Sequence, residues 1–253
     1  MKNFIEVLKL SFVLAINDIR QRYRRSFIGP FWITINTGIL ILTLALIFIH
    51  AFKVPSEKYI LYLSIGLITW KYIESTIKDS CYCFIENERM IKQLNLSYLV
   101  FVLRSLIRNL IIFFHNFVII ILVIIFYKKL FNISFIFFCL GLIVLILNLF
   151  WIGIILSIIC SRYRDFNEII LNSLQIIFYA TPILWSTNVI PDKFLNLYIT
   201  YNLFYHFIEV IRSPLIGEPV YFSYFVLTGL LIIGLITSNF FFNRFKNKIV
   251  FWI

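Results

Sequence analysis

Between Phe31 and Phe52 the chain runs for 22 residues without one Asp, Glu, Lys or Arg, and this run constrains the fold more than any other feature. About 20 apolar residues of helix cross the hydrocarbon core of a bilayer, and a spanning helix satisfies its backbone hydrogen bonds within one segment. Pro30 suits the first turn of such a helix, where its missing N–H has no partner to lose. Five more stretches have comparable length and polarity, at roughly 59–77, 109–127, 133–160, 169–185 and 221–242. Composition points the same way. Of 253 residues, 61% are hydrophobic and only 14% charged, against about 25% charged in an ordinary soluble domain. The expected fold is all-α and integral to the membrane, six transmembrane helices forming one domain over 1–253.

The basic residues give that bundle a direction. Sixteen of the 23 lysines and arginines lie in the N-terminal arm, in 78–108, in the Arg162/Arg164 turn and in the C-terminal tail. Six lie in the alternate loops, and Lys71 is inside the second span. The positive-inside rule then puts both termini in the cytoplasm. Residues 1–27 read as a retained amphipathic helix at the inner interface, since no short apolar core is followed there by a small-residue cleavage site. The formal charge of +11 sits at the ends of spans and not on one soluble face, which excludes nucleic acid as the partner. Residues 186–220 are too apolar for an open loop and too interrupted by Pro191, Pro214, Gly217 and Pro219 to span. Re-entrant outer helices between the fifth and sixth spans are the economical solution, covered by protein or a water-filled cavity.

Little here supports catalysis. The twelve acidic residues form no metal-holding cluster, His50, His115 and His206 have no ligand partners at metal spacing, and no GxxxxGK[ST] phosphate loop occurs. No metal or cofactor is expected in this chain. Cys81, Cys83, Cys139 and Cys160 read as reduced thiols. Lys71 and Glu74, three apart inside the second span, are either a self-neutralising pair or a functional charge. Glu209 and Arg212 repeat the spacing as a structural pair or an outer gate.

The stretches "NDIRQRYRRSFIGPFW", "LYLSIGLITWKYIEST", "ENERMIKQLNLSYLVFVLRSLIRNLIIFFHN", "RYRDFNEIILNSLQIIFYATPILW", "YNLFYHFIEVIRSPLIG" and "NRFKNKIVFWI" fall in order along the chain. Together they resemble the permease subunit of polysaccharide-exporting ABC transporters of the type-2 exporter class, most closely the O-antigen branch. The resemblance implies an inner-membrane homodimer with two copies of a separate ATPase, which binds the ATP and Mg, and a substrate of polysaccharide on undecaprenyl diphosphate. Teichoic acid and capsule exporters share this machinery, and drug or small-lipid exporters are more distant. A membrane enzyme of glycolipid synthesis is the alternative of a different class.

Site residues follow from the resemblance. Arg20, Arg22, Arg24 and Arg25, with the turn at Gly29, are expected to handle the lipid diphosphate, because guanidinium grips phosphate bidentately. Topology and attraction of anionic lipid explain the same charges equally well. Ile28 stands where the family's loop more usually has Leu. Residues 83–97 correspond to the coupling helix that docks on the ATPase, through Glu86, Glu88, Arg89 and Lys92, or else form a solvated loop. Phe31, Trp32, Phe178, Tyr179 and Trp185 are expected to line the glycan channel. An interfacial aromatic belt accounts for Trp185 as readily. Pro182 is expected to kink the fifth span.

Overall fold

Every regular element in the computed structural model, which describes residues 4–24, 26, 28–29, 31–52, 56–94, 96–126, 134–185, 199–217 and 219–253, is helical. In chain order these are α1 (Phe4–Arg22), α2 (Phe31–Phe52), α3 (Ser56–Glu86), α4 (Glu88–Gln93), α5 (Tyr98–Phe126), α6 (Phe135–Arg162), α7 (Asp165–Ala180), α8 (Leu203–Ile216), α9 (Tyr221–Phe245) and α10 (Ile249–Trp252). Four of them are long and apolar enough to cross a membrane: α2 over Phe31–His50, α5, α6 and α9.

The other two expected spans depart from that standard for separate reasons. α3 has 31 residues, about 46 Å at 1.5 Å per residue, but Lys71, Glu74, Lys78 and Asp79 interrupt its C-terminal half. α7 has 16 residues and stops at Ala180. Thr181 is extended (φ −90°, ψ 139°), as the ring of a following proline favours. Pro182 therefore ends this helix and does not kink it.

α5 begins at Tyr98, well ahead of the apolar run at 109–127. Arg104 and Arg108 do not terminate it, because each meets a carboxylate from another helix. The stretch 83–97 holds the end of α3, a break at Asn87, the six residues of α4 and the start of the approach to α5. Asn87 turns its side-chain amide back to the Cys83 carbonyl at 2.8 Å, which closes the end of α3.

At the centre, α3 packs mainly on α5 and α6, and α9 lies along the opposite side of α6. Small residues set the closest approaches. A Cβ at Gly153 of α6 would stand 2.9 Å from Ser80 Oγ, and one at Gly234 of α9 would enter the Trp151 ring. Ser157 adds a hydrogen bond to the Ser80 carbonyl at 2.9 Å.

Residues 186–198 of the expected re-entrant segment lie outside the described residues. The described remainder is chiefly α8, capped by Asn202, whose side chain accepts from the Tyr205 N–H at 3.1 Å. It closes on Gly217 at φ 102°, a left-handed position that glycine adopts without steric cost. All eleven side chains from Tyr205 to Leu215 are buried. Pro214 has no N–H to offer the Val210 carbonyl four residues back, and Tyr224 of α9 supplies the missing donor at 3.0 Å. Gly141 of α6 makes room for that carbonyl, since a Cβ there would stand 2.1 Å from it.

Candidate functional site

Charge inside an apolar bundle has to be accounted for residue by residue, and most of it here is paired. Asp18 of α1 accepts from Arg104 Nε at 2.8 Å and Nη2 at 2.5 Å, and from Arg108 Nη1 at 3.1 Å. Arg108 Nη2 and Asn109 Nδ2 both donate to Asp79 Oδ2 at 2.7 Å. Arg104 Nη1 also reaches Asn87 Oδ1 at 3.0 Å. Two arginines and two aspartates thus close a neutral network that pins the amphipathic α1 to α3 and α5. Spacing shows half of it: Arg104 and Arg108, four apart, share one face of an apolar helix and must find carboxylates. Which of the twelve acids answer them depends on helix packing, and no linear motif records that.

A cavity of about 330 Å³ opens beside this network, between α1, α2, α3 and α5. Arg22, Lys71, Glu74, Lys78, Asp79 and Asn109 line it, with Thr37 and Ser75. A second cleft of about 420 Å³ lies on the other side of α2, between α2, α3 and α7, and it too reaches Lys71, Glu74 and Lys78. Trp70 and Phe178 form its apolar wall, their ring centroids 5.7 Å apart. One charged face of α3 is therefore accessible from both sides of α2. Lys71 and Glu74 are not in ion-pair contact; Lys71 Nζ donates to Thr37 Oγ1 of α2 at 3.0 Å.

The expected site residues fall into four places. Arg20 and Arg22 occupy the last turn of α1 and Arg24 the turn after it, all exposed; of these, Arg22 lines the first cavity. Arg25 lies outside the described residues. Gly29 has φ 64° and its N–H donates to Ser26 Oγ at 3.2 Å, closing a turn that Gly accepts without strain.

Phe31 and Trp32 begin α2 and are exposed, Phe31 meeting the His115 ring edge-on at 6.2 Å. Phe178 and Tyr179 lie in the last turn of α7, and Trp185 follows five residues after its end. The Phe178 and Tyr179 rings are 5.2 Å apart, and Trp185 Nε1 donates to the Tyr179 carbonyl at 3.3 Å. The five aromatics thus form two separate groups, and no described contact joins them.

Around α4, Lys92 bonds both Glu88 and the Ile253 carbonyl, at 2.7 and 2.8 Å. Lys92 beside it holds the Glu88 carboxyl below the usual carboxylate range. Glu86 and Arg89 face outward, exposed. Glu209 and Arg212 form a salt bridge inside the bundle. Arg212 is 1% exposed; it also donates to the Pro182 carbonyl at 2.9 Å and stacks on Tyr62, 3.8 Å from the ring centroid. The pair fastens α8 to α3 and to the turn after α7.

Comparison with known proteins agrees with this architecture. Residues 10–216 match the ABC-2 type transporter family. Two relatives from Klebsiella pneumoniae, each named O-antigen export system permease protein RfbA, are similar over most of their length. One is 27% identical over 238 residues, 90% of each chain. The other is 26% identical over 192 residues, 75% of this chain and 73% of its own. A protein of the same name from Myxococcus xanthus is 20% identical over 180 residues, 71% of this chain and 69% of its own.

Proposed function

From the premise that the chain belongs to the ABC-2 type transporter family, we propose that it is the membrane permease subunit of an exporter for O-antigen polysaccharide carried on undecaprenyl diphosphate. It acts in the inner membrane as a homodimer, with both termini cytoplasmic and two copies of an ATPase beneath. α3 and α7 complete a set of six spans with α2, α5, α6 and α9, and α8 dips back into the bundle from the outer side. The similarity to export permeases over 90% of the chain supports the substrate class.

The observation that carries the reading is the cleft between α2, α3 and α7, which Lys71 and Lys78 line together with Trp70 and Phe178. A diphosphate–sugar conjugate needs both, cations for the phosphates and aromatic faces on which sugar rings stack. Arg20, Arg22, Arg24 and Arg25, around the Gly29 turn, gather the headgroup at the inner interface. Phe31, Trp32, Phe178, Tyr179 and Trp185 line the glycan's path, and the buried Glu209–Arg212 pair is the closed latch of an outer gate. α4, with Glu86, Glu88, Arg89 and Lys92, rests on the ATPase. ATP-driven closure of the ATPase dimer pushes through α4 and α1 and opens the dimer interface.

Deleting the gene tests this. Full-length, lipid-linked polymer trapped in the cytoplasm is the expected result. Absent or truncated polymer, with none trapped, would transfer the chain to polymer synthesis, and unchanged surface polysaccharide would remove the substrate.

A further inference from the structure

The two sides of α2 are not equivalent, and the side away from α7 has a second feature that function has not absorbed. The charge around the 330 Å³ cavity does not balance. Asp79 is committed to Arg108 and Asn109, which leaves Arg22, Lys71 and Lys78 facing Glu74. None of these four forms an ion pair among the described residues, so the cavity carries a net charge of about +2 at the inner end of the bundle.

Beside it, and further along α5, lies a groove of about 640 Å³ between α2 and α5 whose lining is almost wholly apolar, including Gly38 and Leu42 of α2 and Ile119 and Leu122 of α5. Its α5 wall starts one helical turn beyond Asn116, which lines the charged cavity, and runs roughly 10 Å further at 1.5 Å per residue. The missing side chain at Gly38 keeps it open; the nearest heavy atom to a Cβ there is Ile119 Cδ1 at 3.9 Å. Charged cavity and apolar groove, adjacent along α5, together offer the polarity of one amphiphile.

We propose that the α2–α5 seam is a binding site for one lipid molecule, with a dianionic diphosphate headgroup between Arg22, Lys71 and Lys78 and its hydrocarbon chain in the groove. The proposal rests on the exporter reading and says where the carrier lipid waits before it passes α2. Charge selects the occupant. A diphosphate diester brings two negative charges to match the cavity, whereas a phosphatidylglycerol headgroup brings one. The site is also coupled to α2. Lys71 Nζ donates to Thr37 of α2, and its two remaining N–H groups can meet a phosphate oxygen, so headgroup and α2 share one ammonium.

The test uses the full chain in phosphatidylcholine nanodiscs, titrated with undecaprenyl-diphospho-N-acetylglucosamine. Wild type is expected to bind, and the K71M/K78M double variant to bind at least tenfold more weakly. Gly38→Leu, which fills the groove, weakens binding severalfold. Glu74→Gln, which raises the cavity charge, tightens it; a misfolded protein could not produce that change. Excess phosphatidylglycerol leaves the probe bound. If wild type binds and the variants bind equally well, the seam is not the site, though the exporter reading stands. If wild type does not bind, both fall. Displacement by phosphatidylglycerol mole for mole would make the occupant bulk lipid and overturn the proposal.

Discussion

Arg212→Met removes a cation from one of the driest places in the molecule and leaves Glu209 behind. The arginine loses two hydrogen bonds to Glu209, one to the Pro182 carbonyl and its stacking on Tyr62. Glu209 is itself only 7% exposed, so its charge cannot be taken up by water. Breaking a buried pair from one side costs about 3–5 kcal/mol, and this variant is expected in that range. Adding Glu209→Gln removes the orphaned charge. The double variant then loses mainly the Pro182 contact and the stacking, about 1–2 kcal/mol. The expected order is unusual: two substitutions cost less than one. Equilibrium unfolding in mixed micelles titrated with dodecyl sulfate reads it, the double variant being about 2–3 kcal/mol more stable than Arg212→Met. A single variant within 1 kcal/mol of wild type, or a double variant no better than Arg212→Met, would refute the argument that the pair locks α8 in place.

Gly141→Ala places a methyl against the Val210 carbonyl, where backbone and not a flexible side chain must give; about 1–3 kcal/mol of destabilisation is expected in the same assay. Arg108→Leu leaves Asp79 with Asn109 but no cation and Asp18 with Arg104 alone, and should loosen α1 enough for limited proteolysis within residues 4–22 to rise severalfold. Reversing both Glu88 and Arg89 should weaken co-purification of the ATPase at least tenfold while membrane insertion, followed by fractionation, stays normal. Arg24→Ala with Arg25→Ala should reduce surface polysaccharide severalfold; unchanged export would show that these charges serve topology alone.

How much of this was readable from residues depends on range. The uncharged run at 31–52 coincides with α2, and the runs at 133–160 and 221–242 lie within three residues of α6 and α9 at each end. Nothing else in those stretches competes with lipid as the solvent. The C-terminal half of α3 and the start of α5 were less legible, since a helix carrying Lys78 and Asp79, or Arg104 and Arg108, ends early when judged by hydropathy. Here it continues because Asp18, some 86 positions away, completes the charge balance. Pro182 misled in a different way: proline both kinks and stops helices, and only the extended Thr181 decides between them. The Glu209–Arg212 spacing is visible in sequence, but Tyr62 and the Pro182 carbonyl as its other partners are not. Nor is the charge surplus at Lys71, which appears only once Asp79 is assigned to Arg108.

Reconstitution tests the central claim most directly. The purified chain is placed in proteoliposomes with a candidate partner ATPase, and lipid-linked polysaccharide is supplied on the ATPase side. The account predicts ATP-dependent protection of the glycan from an added glycan-cleaving enzyme, lost when the ATPase cannot hydrolyse ATP. An assembled complex that hydrolyses ATP and leaves the glycan fully cleavable would contradict it.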